Sequence, residues 1–273
     1  GMTAERTMRT AQALYEGIQL GGDEPVGLIT YMRTDSTNLS QAVLAEANEF
    51  IKREYGDAYA DKPRMYRTKS KAAQEAHEAI RPTSVSRTPE SVKSQLNRDQ
   101  NRLYELIWKR LVASQMTDSR SDATTADIDV TDTESGTGYV LRATGTVLKF
   151  PGFRTLYMEV RDETNEEEDA PEELVPLTQG ESLDRKDVLA EQKFTQPPPR
   201  FSEAMLIRTL EEQGIGRPST FASIVATIER REYVTREKTR FTPSNLGTVV
   251  SNFLTEHFPD VMDPGFTSGM EEN

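Results

Sequence analysis

Apolar positions near the start of the chain fall three or four residues apart. Met8, Ala11, Leu14, Tyr15 and Ile18 would line one face of a helix, and the spacing predicts one there. Ser40 offers an N-cap to a second helix carrying Val43, Leu44, Ala47, Phe50 and Ile51, closed by Gly56. A third helix is predicted around Leu103, Leu106, Ile107 and Leu111, with Trp108 as a further candidate for its buried face. Between the first two helices, Val26-Gly27-Leu28-Ile29-Thr30-Tyr31 reads as a short strand.

The period changes near residue 118. Ala126, Ile128 and Val130 alternate with Asp127, Asp129 and Thr131, as on a half-buried strand. Phe153, Leu156, Met158 and Val160 form a second strand-like run after Pro151-Gly152, and Val188, Ala190 and Phe194 a third. An antiparallel sheet or small barrel is expected here. The stretch from Asp162 to Glu173 is too acidic to pack and reads as an exposed loop. Pro197-Pro198-Pro199 makes a stiff junction. Helical spacing then returns. Ser202 caps a helix with Met205, Leu206 and Leu210, which Gly214 ends. Pro218-Ser219-Thr220 opens a helix with Phe221, Ile224, Val225 and Ile228 on one face. Thr242-Pro243 opens another with Leu246, Val249, Val250, Phe253 and Leu254. The expected fold class is therefore multidomain α+β: a mostly helical domain over residues 2–117, a β-rich domain over 118–199 and a helical domain over 200–273.

Composition narrows the chemistry. Cysteine is absent, which excludes disulfides, thiolate zinc sites and cysteine nucleophiles. The two histidines, His77 and His257, are too few for a histidine-rich metal cage. No apolar run approaches the ~18 residues needed to cross a bilayer, and the first residues have no leader-like apolar core. No membrane association and a cytoplasmic location are expected. Gly1 before Met2 and the ending Gly269-Met270-Glu271-Glu272-Asn273 suggest a piece of a longer protein. The net charge of −12 argues against nucleic acid, but it is unevenly spread. Residues 62–110 hold twelve Lys/Arg against five Asp/Glu, and residues 161–192 hold twelve Asp/Glu against three Lys/Arg. One face can repel DNA while another grips phosphate; the plainer alternative is solvated surface.

The densest polar cluster is Thr30-Tyr31-Met32-Arg33-Thr34-Asp35-Ser36-Thr37-Asn38, directly after the predicted strand. Tyr31 and Arg33, two residues apart, share a face in extended backbone. A phenol ionises near pH 10 in water, so a tyrosine nucleophile needs help from its surroundings. A guanidinium beside it favours the phenolate and steadies charge on a phosphoryl group. An aryl phosphodiester so formed keeps the bond energy for resealing, without ATP. The competing reading is an ordinary strand tyrosine beside a surface arginine.

Leu28-Ile29-Thr30-Tyr31-Met32-Arg33-Thr34-Asp35-Ser36-Thr37 resembles the active-site signature of the type IA DNA topoisomerases. His77-Glu78-Ala79-Ile80-Arg81-Pro82-Thr83 is similar to a second stretch of that family's catalytic domain. Gln213-Gly214-Ile215-Gly216-Arg217-Pro218-Ser219-Thr220-Phe221-Ala222-Ser223-Ile224, followed by Arg231-Glu232-Tyr233-Val234, resembles a third, and Phe266-Thr267-Ser268-Gly269-Met270-Glu271 a fourth. All four occur in the family's order. Met32 favours the bacterial topoisomerase I branch; in the topoisomerase III branch a proline commonly follows the tyrosine.

The resemblance implies that Tyr31 is the nucleophile, forming a 5′-phosphotyrosine and freeing a 3′-hydroxyl. It implies that Arg33 contacts the scissile phosphate region and that His77 supports the same pocket, against the alternative of a helix-face histidine with no chemistry. Thr30 falls with the DNA-contacting residues. Arg81 either binds phosphate or pairs with a carboxylate such as Glu78. The Gly214–Thr220 stretch allows close backbone approach, and Ser219, Thr220 and a helix start offer donors to phosphate, with Arg217 and Arg231 adding charge. The alternative is a glycine helix stop followed by a proline-started helix. The family's acidic Mg²⁺ site belongs to a Toprim-like domain preceding these motifs. Asp35 and Glu78 do not make that cluster, so no metal or cofactor is expected in this stretch and the fragment alone is expected to be inactive. In family terms, 2–117 is the gate domain, 118–199 the hinge domain and 200–273 part of the helical base domain. Expected partners are single-stranded DNA and the Toprim domain. The rival classes are a non-catalytic single-strand DNA-binding protein and a structural docking module. Topoisomerase III and reverse gyrase are further options within the enzyme class.

Overall fold

The computed structural model describes residues 2–22, 24–66, 78–158, 174–175 and 177–272. The chain forms two compact units, Gly1–Gln115 with Pro199–Asn273, and Met116–Pro198.

The first unit opens with α1 (Ala4–Glu16), capped by Thr3, whose Oγ1 accepts the Arg6 N–H at 3.3 Å. α2 (Gln41–Tyr55) buries the five residues its spacing marked. Ser40 takes the N-cap backbone conformation but makes no side-chain cap, and Gly56 ends the helix at φ +96°. A single turn, α3 (Pro89–Val92), leads to α4 (Arg98–Gln115). α4 buries Leu103, Tyr104, Trp108, Leu111, Val112 and Ala113, whereas Leu106, expected in its core face, is half exposed. Leu103, Leu111 and Trp108 already fill the buried stripe, and Leu106 lies outside it. Trp108 packs edge-on to Phe50 with centroids 5.5 Å apart and donates its indole N–H to the Val85 carbonyl at 2.9 Å. With Leu14, Leu28, Leu44 and Ile51 this makes the main core, where each fully buried aliphatic side chain contributes about 1.5–3 kcal/mol.

In the second unit, β1 (Arg120–Thr131) pairs antiparallel with β2 (Gly138–Phe150), in register from Thr131↔Gly138 to Arg120↔Phe150 with one shift beside Arg120. The alternation seen in the sequence is real: Ala126, Ile128 and Val130 are half-buried between exposed neighbours. Asp132 closes the turn, its carboxylate accepting the Glu134 and Ser135 N–H groups. Among the described residues the expected antiparallel sheet is this two-stranded ribbon, and the strands do not close into the alternative barrel. The run beginning at Phe153 is a 3₁₀ turn over Gly152–Thr155, set by Gly152 at φ +51°, where a Cβ would meet the Asp118 backbone at 2.5 Å. Val160, like the acidic stretch 162–173, lies outside the described residues. The run with Val188, Ala190 and Phe194 is irregular and exposed. β propensity makes a strand only where its side chains find a surface to pack on, and here Val188 and Phe194 are exposed.

The chain returns to the first unit with α5 (Glu203–Glu212), capped by Ser202, and α6 (Phe221–Arg230). Next comes an unforeseen hairpin, β3 (Val234–Glu237) with β4 (Arg240–Pro243), turning at Lys238. Thr242 and Pro243 end that hairpin rather than opening a helix. The cap of α7 (Asn245–His257) is Ser244, which accepts the Gly247 N–H at 2.9 Å. α8 (Pro259–Met262) and α9 (Pro264–Glu272) follow. Leu246, Val249 and Phe253 of α7 are exposed rather than packed. The overall composition, mixed helix and sheet, agrees with the α+β expectation.

Candidate active site and nucleic-acid contacts

Tyr31 follows two fully buried residues, Leu28 and Ile29, and precedes buried Met32. The segment is held on both sides by backbone. On one side Leu28 N–H donates to the Leu14 carbonyl of α1 at 2.8 Å, and Ile18 bridges Val26. On the other, Thr30 N–H donates to the Arg81 carbonyl at 2.9 Å, Thr83 N–H to the Leu28 carbonyl at 3.0 Å, and Ile29 bridges Pro82. The first two sequence motifs are therefore paired strand to strand. Burial of the preceding residues anchors the backbone, so the tyrosine emerges from a rigid support into solvent.

Tyr31 is 37% exposed. It lines an open cleft of about 550 Å³ with Arg33 and the α1 residues Met8, Arg9, Gln12, Ala13 and Glu16. The expected sharing of one surface by Tyr31 and Arg33 is what this cleft shows. Its floor on the α1 side was not foreseen. Tyr15 sets its ring edge-on to Tyr31, with centroids 5.5 Å apart. Met8, Gln12 and Glu16 recur every four residues, the signal that would have placed them on one helix face. Gly27 is required here: a Cβ would come within 2.8 Å of the Tyr15 carbonyl oxygen.

The remaining sequence candidates divide. The Thr30 hydroxyl donates to the Ala79 carbonyl at 2.7 Å and accepts the Arg81 N–H at 2.9 Å, so it ties the two motifs together. Of the two fates considered for Arg81, the structure shows the ion pair. Its Nε and Nη2 reach Glu78 at 3.0 and 2.5 Å, and Nη1 donates to the Pro82 carbonyl. His77 lies outside the described residues. Arg33 is exposed and makes no hydrogen bond or ion pair among the described residues. Among those residues no three carboxylate or histidine side chains group as ligands for a metal ion.

The glycine-rich stretch forms a turn between α5 and α6, with Gly214 and Gly216 at φ +71° and +80°. Thr220 Oγ1 accepts the Arg217 N–H at 2.9 Å, so it shapes the turn, while Ser219 is exposed. Arg231 is exposed at the end of α6. Arg217 is engaged by Glu271, which sequence reasoning left out of the site although it sits in the fourth motif. The third and fourth motifs thus also meet, as the first and second do.

A sequence profile of the family described as DNA topoisomerase matches residues 1–273. The chain is 49% identical to DNA topoisomerase 1 of Xylella fastidiosa (strain Temecula1), over its whole length and 33% of that protein. It is 46% identical to DNA topoisomerase 1 of Rickettsia felis, over 99% of the chain and 34% of that protein. Among solved structures, full-length topoisomerase I from Thermotoga maritima superposes with a TM-score of 0.80 at 36% identity, covering the whole chain and 42% of that structure. The chain spans about a third of the length of these curated relatives. A match along every residue, with all four motifs in order, makes this chain a member of the bacterial type IA DNA topoisomerase family.

Proposed function

We propose that this chain carries the strand-cleaving tyrosine of a type IA topoisomerase that relaxes negatively supercoiled DNA without ATP. The observation that carries the reading is the cleft in which Tyr31 and Arg33 stand together at the end of a buried, doubly held strand. The Tyr31 phenol loses its proton and its oxygen attacks a backbone phosphorus. The P–O3′ bond breaks, a 5′-phosphotyrosine forms, and the 3′-oxygen leaves as a hydroxyl after taking up a proton. Arg33, exposed beside the phenol, neutralises charge gathering on the phosphoryl oxygens. Religation reverses these steps after a second strand has passed.

In this reading residues 2–117 are the gate, 118–199 the hinge and 200–273 part of the base. The substrate is single-stranded DNA, because the attack needs one accessible backbone. His77 supports the tyrosine pocket, and Arg217, Ser219, Thr220 and Arg231 contact the strand. Mg²⁺ is required for religation and is held by a Toprim domain of the same protein, in the cytoplasm. The described residues offer no carboxylate set that fits the ion, so no step above is routed through it. That no described helix is long and apolar enough to cross a membrane is compatible with this reading.

The test is a cleavage assay in the full-length enzyme with end-labelled single-stranded DNA, stopped in denaturant. A covalent adduct that vanishes in Tyr31→Phe supports the reading. An adduct that persists in Tyr31→Phe, or DNA binding with no adduct at all, would sink it, the latter in favour of a non-catalytic single-strand binder.

A further inference from the structure

The turn between α5 and α6 already holds an anion. Gly216 N–H donates to Glu271 Oε1 at 2.9 Å. The Arg217 guanidinium lies against the other oxygen, with Nε 3.6 Å from Oε2, and its Nη2 donates to the Glu271 carbonyl. One turn earlier on α9, Ser268 presses so closely that a Cβ on Gly214 would sit 2.9 Å from its Oγ. α9 therefore lies along the turn and delivers a carboxylate to one backbone N–H and one guanidinium. Those are the donor types that hold a phosphodiester oxygen, and a carboxylate carries the same single negative charge. One N–H and one guanidinium offer room for one such anion. The Arg217 and Glu271 side chains are 35% and 31% exposed, so solvent already reaches the pair.

We propose that Glu271 is a built-in competitor for DNA: its carboxylate occupies the seat on Gly216 and Arg217 that a backbone phosphate of single-stranded DNA takes. Strand entry displaces Glu271 and frees Arg217, so the position of α9 is coupled to occupancy of the turn. The inference rests on the DNA-binding reading above and adds a regulator to it.

The test is fluorescence anisotropy of a labelled oligothymidylate with the 273-residue chain, titrated at several salt concentrations. Glu271→Gln keeps the size and removes the charge, and it should bind roughly threefold or more tightly than the unaltered chain. Arg217→Ala should bind more weakly, with a shallower salt dependence by about one phosphate contact. The double variant should bind no more tightly than Arg217→Ala. Thermal melting accompanies each measurement. If Glu271→Gln fails to fold, Glu271→Asp, which shortens the reach by one methylene, replaces it with the same expected direction. Affinity equal to or below that of the unaltered chain would leave Glu271 as an anchor for α9 only and overturns the inference alone. No binding by any variant at low salt overturns the DNA-binding assignment of this turn and the inference with it.

Discussion

Gly27 shows how one missing methyl positions Tyr31. The strand before Tyr31 lies so close to α1 that any side chain there meets the Tyr15 carbonyl. That oxygen belongs to a helix fixed to the same strand by the Leu28–Leu14 bond, so it cannot withdraw independently. Gly27→Ala should destabilise the fold by about 1–3 kcal/mol, read as a lower urea midpoint with an unchanged slope. An unchanged midpoint would refute the close approach. Tyr104, fully buried, donates its hydroxyl to the Arg87 carbonyl at 2.7 Å. Burial pushes its phenol up from 10.0 to about 12. The folded state thus resists ionisation that the unfolded chain undergoes near pH 10. The Tyr104 contribution to stability is intact below that value and is lost as pH rises towards about 12. Tyr104→Phe should cost about 1–2 kcal/mol at neutral pH, by leaving the Arg87 carbonyl unpaired. It should also flatten that alkaline decline in denaturant titrations. A decline of the same depth in Tyr104→Phe would assign it to another group.

Among the elements, Arg236 on β3 is the joint of the C-terminal helices. Its guanidinium reaches Glu229 of α6 and Glu203 of α5, both at 2.9 Å, and covers the Phe241 ring of β4. Arg236 carries a raised pKa, first through its hydrogen bond to Glu229. Arg236→Ala should lower stability by about 1–2 kcal/mol, since it leaves two partly buried carboxylates facing each other. Arg236→Lys should recover only part of this, because an ammonium cannot serve both carboxylates with a planar fork. Thermal melting of the two variants checks the order, and equal losses would contradict it. The hairpin that carries Arg236 was not legible in the sequence: its strands are four residues each and lie between two strong helical patterns. α2, by contrast, was legible down to its five buried residues, because its packing partner matches its own periodic face. The described parts of the runs at 153–158 and 188–194 misled, since propensity says nothing about whether a surface is there to pack on. The site was legible as residue types and not as surroundings. Spacing put Tyr31 and Arg33 on one face and the motif resemblance marked them as site residues, but Tyr15, Arg9 and Glu271 reach their places through tertiary packing that no local window contains.

At the scale of the whole molecule, the proposed function separates cutting from relaxing. In the proposed assignment this chain supplies the nucleophile, while metal chemistry and a closed ring for strand passage come from the rest of the enzyme. The 273-residue chain should therefore leave supercoiled plasmid supercoiled in Mg²⁺. Agarose gels checked against Tyr31→Phe, which exposes any contaminating host enzyme, decide the matter. Robust relaxation by the chain alone would overturn that division of labour.

The residues that flank the second unit belong to one compact body, and α1 rests on α6 as well as on α4. The Ala4 N–H finds its acceptor in Glu203, 199 residues later. On a ribosome adding ~5–20 residues per second, that acceptor arrives roughly 10–40 s after Ala4 is made. For that interval the helix bearing Tyr15, Arg9 and Gln12 has only its near-sequence partners, and the tyrosine cleft forms before its outer support exists. A nascent chain stalled short of α5 should thus expose the α1 surface to chaperones, and release from them becomes a readout of when the two halves of this body close on each other.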